Sequence, residues 1–256
     1  MNANSPRAVV IQSIQRVVDA TTWVAAAWLG GSDATDRTDD LSDIDLQLIV
    51  DDDRIEDAFS IVESMLEETV GVAHRWRVDG PTRLGHPCAV YIPKNAPSHM
   101  CLDLVVMPLS SGEWHTQRER HGNAVILIDK KGLLANPLPL DQDAHAGRIG
   151  ERIAYHIASH PIHKEVVGKS IARGHTVEAS VIYHVKIMRP LIELMRIEEC
   201  PDRFDFEERY VSDDLSGANH ELLIELSMPV SLADLEKKYQ QACKEIQERL
   251  NRLTIR

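Results

Sequence analysis

The hydrophobic periodicity of this chain changes near residue 136, and this change constrains the fold more than any other feature. Before it, short apolar runs alternate with amphipathic helical patterns, which is typical of a sheet with helices packed against it. After it, apolar residues recur at helical spacing. The segment Asn136-Pro137-Leu138-Pro139 is therefore a predicted linker, because proline blocks helix continuation and stiffens the chain.

The pattern also predicts the individual elements. In the first part it indicates helices at residues 7–20 and 54–70, and strands at residues 23–29, 44–50, 72–78, 89–92, 102–107 and 125–128. The run at 23–29 is short enough to be helical instead. In the second part it indicates helices at residues 148–172, 176–198, 218–227 and 231–253. We expect an α/β (α+β) fold, with a small mixed-sheet domain over residues 1–135 and a C-terminal helical bundle domain over residues 143–256.

Charge narrows the classes of partner. The 256 residues contain 28 Lys and Arg against 40 Asp and Glu, a formal charge of −12. Such a field repels polyanions, whereas proteins that bind nucleic acid usually carry a basic face. A nucleic-acid partner is therefore not expected, although net charge does not exclude a local basic patch that could bind one. An acidic chain suits a cationic small substrate or a metal-bound nucleotide.

The chain carries no sign of a membrane or secretory protein. No apolar run reaches the ~18–20 residues that a membrane span needs, and charges interrupt the N-terminal segment where a signal peptide would be apolar. We expect a cytoplasmic protein. Its four cysteines are scattered, without a CxxC pair, which favours buried thiols over disulfides or zinc ligands.

One combination of residues indicates chemistry. Gly30-Gly31-Ser32 ends an apolar run, and Asp43-Ile44-Asp45 opens the next predicted strand. Glycines let the backbone turn sharply and approach phosphate oxygens, and the serine hydroxyl adds a donor. Alternate strand residues share a face, so Asp43 and Asp45 point the same way. Asp103 lies in another apolar strand, where an unpaired charge costs several kcal/mol, and its carboxylate reaches the same place if the two strands pair.

These residues resemble the nucleotidyltransferase superfamily typified by DNA polymerase β. That pattern is an apolar residue, Gly, Gly or Ser, a spacer, and Asp-apolar-Asp-apolar, which is found here in Leu29-Gly30-Gly31-Ser32 and Asp43-Ile44-Asp45-Leu46. Asp103 matches the third carboxylate. The acidic loop, the length and the helical second half look most like the branch of aminoglycoside and lincosamide adenylyltransferases. The motif covers roughly residues 23–107, and the second half is similar only in layout.

The resemblance implies a metal-dependent enzyme. Asp43, Asp45 and Asp103 would be catalytic residues and ligands of Mg²⁺, two ions in all, while Gly30, Gly31 and Ser32 would bind the nucleotide. The implied reaction moves a nucleoside monophosphate, AMP from ATP, to a hydroxyl of a small molecule and releases pyrophosphate. The residues 143–256 would bind the acceptor. Two alternatives stay open: nucleotidylation of a protein or an RNA end, and a catalytically silent nucleotide-binding or antitoxin-like partner protein.

Other patterns favour structural roles. The acidic residues after Ser32 lack the spacing of a calcium loop and are interpreted as a solvated loop at the mouth of the site, namely Asp33, Asp36, Asp39 and Asp40. Gly168-Lys169-Ser170 lacks the upstream glycine of a P-loop, and His156, His160 and His163 are interrupted by Pro161. A general base that activates the acceptor could be Asp103, Glu113 or His115.

Overall fold

The computed structural model describes residues 5–78, 85–112 and 114–255. The chain divides into two compact units, Met1–Leu140 and Asp141–Arg256. The division lies inside the segment 136–142 that the sequence left between the two predicted domains. The predicted fold class is confirmed, since the first unit is a mixed sheet with helices and the second is helical.

The first unit contains six strands and four helices among its described residues. In chain order these are α1 (Pro6–Ala20), β1 (Val24–Leu29), α2 (Gly31–Ala34), β2 (Ile44–Val50), α3 (Ile55–Thr69), β3 (Val72–Val78), β4 (Cys88–Pro93), β5 (Leu102–Pro108), α4 (Arg118–His121) and β6 (Val125–Asp129). A 3-10 turn, Leu109–Ser111, follows β5. Every predicted strand is present, and the run at 23–29 is a strand rather than a helix.

The strands form one mixed sheet in the order β3-β4-β5-β2-β1-β6. Strands β2 and β5 are parallel and adjacent, while the other neighbouring pairs are antiparallel. A parallel pair needs a long connection, and here it consists of α3, β3 and β4. As a result, the strand that carries Asp103 lies directly beside the strand that carries Asp45.

Helices α1 and α3 pack against one face of the sheet, because each has one apolar stripe and alternate strand residues point towards it. Val10, Ile14 and Val18 of α1 belong to the same buried cluster as Leu46 and Leu104 of the sheet. The opposite face has a smaller cluster around Trp28 and Ile49, to which loop residues such as Trp114 and Leu133 contribute. Asp45 and Asp103 alternate with the residues of the large cluster, so they lie on this second face.

Two short helices depart from the sequence prediction. The segment 33–42 was expected to be a loop throughout, but it begins with the helical turn α2. Helix α4 lies in the region 118–121 where no element was predicted. One helical turn is too short to show hydrophobic periodicity, so neither element has a readable signal in the sequence.

The second unit is built from helices. They are α5 (Gln142–Ala172), α6 (Thr176–Tyr183), α7 (Arg189–Glu199), α8 (Val211–Asp214), α9 (Gly217–Ser227) and α10 (Leu232–Ile255), with a π-helical turn at His184–Met188 and a 3-10 turn at Pro201–Arg203. Leu191, Leu194 and Met195 are fully buried in their core, as predicted. Ser231 caps α10 as its position suggested, since its hydroxyl accepts a hydrogen bond from the Asp234 N–H.

Helix α5 runs through Pro161 instead of stopping there. Proline removes one helical hydrogen bond and costs about 3 kcal/mol inside a helix, so tertiary packing must offset it. The buried residues His156, His160, Val167 and Ile171 supply that packing on both sides of the proline. Gly168-Lys169-Ser170 lies in the same helix, which confirms that it is not a P-loop.

The buried side chain of His156 belongs to a hydrogen-bond and ion-pair network. Its Nε2 lies 2.9 Å from the Glu193 carboxylate, which also accepts two hydrogen bonds from Arg152 at 2.6 and 2.8 Å. Burial raises the pKa of Glu193, but these hydrogen bonds outweigh burial and lower that pKa to about 2. The network joins α5 to α7.

The described helices and the four cysteines bear on the expected type of protein. Among the described helices, none combines the length and apolar character that crossing a membrane requires. All four cysteines are free thiols. Cys243 is buried as predicted, whereas Cys88, Cys101 and Cys200 are only half-buried.

Candidate active site

Asp45 and Asp103 are directly opposite one another in the parallel pair β2–β5. Paired strands lie about 4.8 Å apart, and side chains in register on one face are immediate neighbours. The same register aligns Ile44 with Leu102 and Leu46 with Leu104 on the buried face. The apolar residues that dock β2 and β5 onto the helices therefore also bring the two carboxylates together on the other face.

Asp43 precedes β2 and is held to the strand beside it. Its Oδ1 accepts a hydrogen bond of 2.7 Å from the Cys101 N–H, and the Ile44 N–H donates to the Cys101 carbonyl at 2.9 Å. These bonds extend the pairing of β2 and β5 by one step towards their N-terminal ends. The structure therefore brings Asp43 and Asp45 close to Asp103, which lies 58 residues beyond Asp45 in the sequence. The three residues lie at the N-terminal ends of the central strands β2 and β5.

The carboxyl group of Asp103 has a raised pKa. Burial is the largest cause, the nearby charges of Asp45 and Asp43 act in the same direction, and together they raise the pKa to about 6. A carboxylate in this position favours a proton or a cation. This property is expected of a group that shares a cation with its neighbours.

Gly31 lies against the Asp45 carboxylate. Its φ is +54°, and a Cβ atom at this position would be 1.9 Å from Oδ2 of Asp45. The preceding Gly30 donates its N–H to the Asp45 carbonyl at 2.9 Å, so the turn is fixed to β2. Only glycine permits both the left-handed backbone and this close approach. The Gly30-Gly31-Ser32 turn and the carboxylates therefore form one structural feature.

Ser32 presents a buried hydroxyl to this region. Its Oγ is inaccessible to water and has no hydrogen-bond partner among the residues that the structure describes. Buried hydroxyl groups normally have partners, so this hydroxyl is a candidate donor to a bound group. The turn itself is held by Thr35, whose hydroxyl donates to the Gly31 carbonyl at 3.0 Å, and by the Asn123 N–H, which donates to the Ala34 carbonyl at 2.7 Å.

The acidic loop is only partly solvated, which corrects one element of its interpretation. Asp36, Asp39 and Asp40 are exposed, as predicted. The prediction is wrong for Asp33, because its side chain is only 5% exposed and forms an ion pair with Arg7. Arg7 was not singled out from the sequence, and its Nη2 also donates to the Asp43 carbonyl at 3.0 Å.

Two of the three candidate general bases lie within the described residues. Asp103 lies among the carboxylates described above. The His115 ring lies 5.5 Å from that of His86 and 5.7 Å from that of His121, measured between centroids, in a cluster of three imidazoles. Glu113 lies outside the described residues.

No family model matches the chain, and no curated protein matches it at a significant level. Within residues 5–78, 85–112 and 114–255, no group of three or more His, Cys, Asp or Glu side chains is arranged to hold a metal ion as it stands. The resemblance to nucleotidyltransferases therefore stays a prediction from the sequence motif.

The shifted pKa of Asp103 predicts a pH-dependent effect of Asp103→Asn on the metal-free protein. The pKa rises from 3.8 to about 6 on folding, so the folded state binds more protons between these pH values. This group therefore lowers the free energy of unfolding as pH rises from about 4 to about 6. The free energy of unfolding of the variant should equal that of wild type below pH 4. Above pH 6 it should exceed the wild-type value by on the order of 1–3 kcal/mol.

Urea unfolding in EDTA at several pH values measures this difference. Asp53→Asn is the matched control, because the Asp53 side chain is 81% exposed and its replacement relieves no burial. A pH-independent difference between Asp103→Asn and wild type would contradict the shifted pKa.

The motif predicts that a nucleotide binds at this turn, so Ser32→Ala should weaken that binding without destabilising the chain. The substitution removes a buried hydroxyl that has no described partner, so no other group loses a hydrogen bond. A hydrogen bond to a charged phosphate contributes about 1.5–3 kcal/mol, which corresponds to roughly 10- to 150-fold in affinity. Calorimetry with a non-hydrolysable ATP analogue measures it, with the exposed Ser60→Ala as control. Equal affinities of the two variants would place the nucleotide elsewhere.

Proposed function

We propose that the chain is a metal-dependent nucleotidyltransferase that moves a nucleoside monophosphate to a hydroxyl group and releases pyrophosphate. One observation carries the proposal: Asp45 and Asp103 are in register on adjacent parallel strands, with Gly31 packed against the Asp45 carboxylate. A turn that can approach phosphate oxygens thus lies directly beside carboxylates that can hold a cation. Nucleotidyl transfer requires both, at one place.

The donor chemistry of these residues suits magnesium, which is the ion of this proposal. Three carboxylates offer the hard oxygen ligands that this ion prefers. The pKa of Asp103 is raised mainly by burial and also by the charges of Asp45 and Asp43, and a cation would relieve that repulsion. Asp43, Asp45 and Asp103 would hold the ions, and Asp43 would do so while its Oδ1 accepts from the Cys101 N–H. When bound, magnesium neutralises the triphosphate and stabilises the attacking and leaving oxygens.

The protein groups would position the nucleotide. The Gly30-Gly31-Ser32 turn would approach the triphosphate, with the Ser32 hydroxyl as donor to a phosphate oxygen. Asp103, which favours a proton more than an ordinary aspartate does, is the candidate to accept the proton of the attacking hydroxyl. The preference for ATP comes from the family resemblance alone. A small-molecule acceptor bound by the helical unit and a cytoplasmic location are further parts of this proposal.

The decisive experiment is a screen for pyrophosphate release. Purified protein is incubated with Mg²⁺, each of the four nucleoside triphosphates and a panel of hydroxyl-bearing small molecules that includes aminoglycosides and lincosamides. We expect release that depends on metal and on one acceptor, with a mass increase of that acceptor by one nucleotidyl group. Radiolabel from ATP transferred to protein or RNA instead would favour the alternative acceptors. Nucleotide binding without any transfer would favour a silent partner protein.

A further inference from the structure

Arg7 connects helix α1 to both ends of the loop that carries the candidate site. Its Nη2 donates to the carboxylate of Asp33 and to the main-chain carbonyl of Asp43, the latter at 3.0 Å. Asp33 directly follows Ser32, and Asp43 is the first of the three carboxylates. A single side chain therefore links the phosphate-facing turn to the metal-facing end of β2.

Stability does not explain this ion pair well. The side chains of Arg7 and Asp33 are 10% and 5% exposed, so both charges are largely removed from water. A buried pair of this kind is often no more stabilising than two apolar residues of similar size, because desolvation offsets the attraction. Helix α1 is already anchored by Val10, Ile14 and Val18, which are at most 1% exposed. The docking of α1 therefore does not require Arg7.

We propose that Arg7 and Asp33 are positioning residues that hold Ser32 and Asp43 at the separation needed for binding a metal–nucleotide complex. Arginine suits this role because its planar guanidinium has five donors in a fixed geometry, so one group can bond a side chain and a backbone carbonyl together. Lysine keeps the charge but presents it on a flexible stem. The inference rests on the proposed function, since the loop is positioned for that reaction.

Three variants test the proposal. The double variant Arg7→Met/Asp33→Leu replaces both members of the ion pair by apolar residues, so neither charge of this pair remains without the other. Arg7→Lys keeps the charge and loses the fork geometry. Arg77→Met is the matched control, because Arg77 forms a two-bond ion pair with Glu56 at 2.6 and 2.9 Å within the same unit, on strand β3.

Each protein is compared with wild type in three measurements. Calorimetry gives the affinity for α,β-methylene ATP in the presence of Mn²⁺, thermal melting gives stability, and hydrogen exchange gives the protection of backbone amides. We expect the double variant to melt within about 4 °C of wild type. It should bind the analogue at least tenfold more weakly, with Arg7→Lys intermediate and Arg77→Met unchanged. Amide exchange should accelerate over residues 31–43 and at Cys101, whose N–H donates to Asp43, but not over β2.

The outcomes separate the two proposals. A double variant that binds the analogue as tightly as wild type would overturn the positioning role, even if exchange over 31–43 accelerates. Faster exchange spread equally over α1 and β2 would make the pair a general structural element instead. Failure of wild type itself to bind the Mn²⁺ complex would contradict the proposed function before any variant is considered, and the exchange data would still report whether Arg7 holds the loop.

Discussion

Asp45→Asn should fold like wild type and lose about 100-fold or more of its nucleotidyl-transfer rate, because a bound metal contributes several kcal/mol to a developing transition state. Asp45 lies in register with Asp103, and its negative charge is one cause of the raised pKa of Asp103. The substitution removes this charge and so relieves the repulsion between the two carboxylates. We therefore expect unchanged or slightly increased stability of the metal-free protein. Pyrophosphate release with the acceptor found by screening, together with thermal melting, measures both effects.

Asp43→Asn should behave in the same way for a separate reason. The hydrogen bond from the Cys101 N–H needs only an acceptor oxygen at position 43, which asparagine retains. The strand ends stay joined while the negative charge is lost. Asp53→Asn is the control for both variants, since Asp51 and Asp53 form another Asp-x-Asp pattern with the Asp53 side chain 81% exposed. Full activity of either site variant would show that its carboxylate has no catalytic role.

The sequence predicted the elements of the fold because periodicity is local. The strands and the two long helices of the first unit end within a few residues of their predicted bounds. Helix α5 begins at Gln142, six residues earlier than the predicted 148, because its first turns carry too few apolar residues to show a periodic stripe. Its start is fixed instead by Asp141, whose side chain accepts a hydrogen bond from the Ala144 N–H.

The candidate site was predictable in its local parts only. Asp43 and Asp45 follow from alternation within one strand, but the alignment of Asp103 with Asp45 depends on strand order and register. Strand order and register are non-local properties that periodicity does not reveal. Asp103 was therefore matched to the other two carboxylates through the resemblance to the family motif. Arg7 had a usable signal, because it continues the buried stripe of α1 at helical spacing with Val10 and Ile14. Its partner Asp33 was hidden in a run of acidic residues.

Gly31→Ala should reduce activity about 100-fold while costing little more stability than a control at another glycine. The new Cβ would lie 1.9 Å from Oδ2 of Asp45, so the carboxylate has to move away. A carboxylate at the end of a short side chain can rotate, which spares the fold but displaces a group of the candidate site. Misplacement of a reacting group by about 1 Å can cost 100-fold in rate.

Gly132→Ala separates this effect from backbone strain. Gly132 has a φ of +69°, close to the +54° of Gly31, but a Cβ there would meet nothing within 4 Å. Both substitutions carry the strain of a left-handed alanine, about 1–3 kcal/mol, so their melting temperatures should fall by similar amounts. Only Gly31→Ala should lose turnover. The double variant Gly31→Ala/Asp45→Asn should turn over only slightly more slowly than Asp45→Asn alone, because both changes act on one carboxylate. Equal activity of the two alanine variants, or additive losses in the double variant, would mean that Gly31 and Asp45 do not act together.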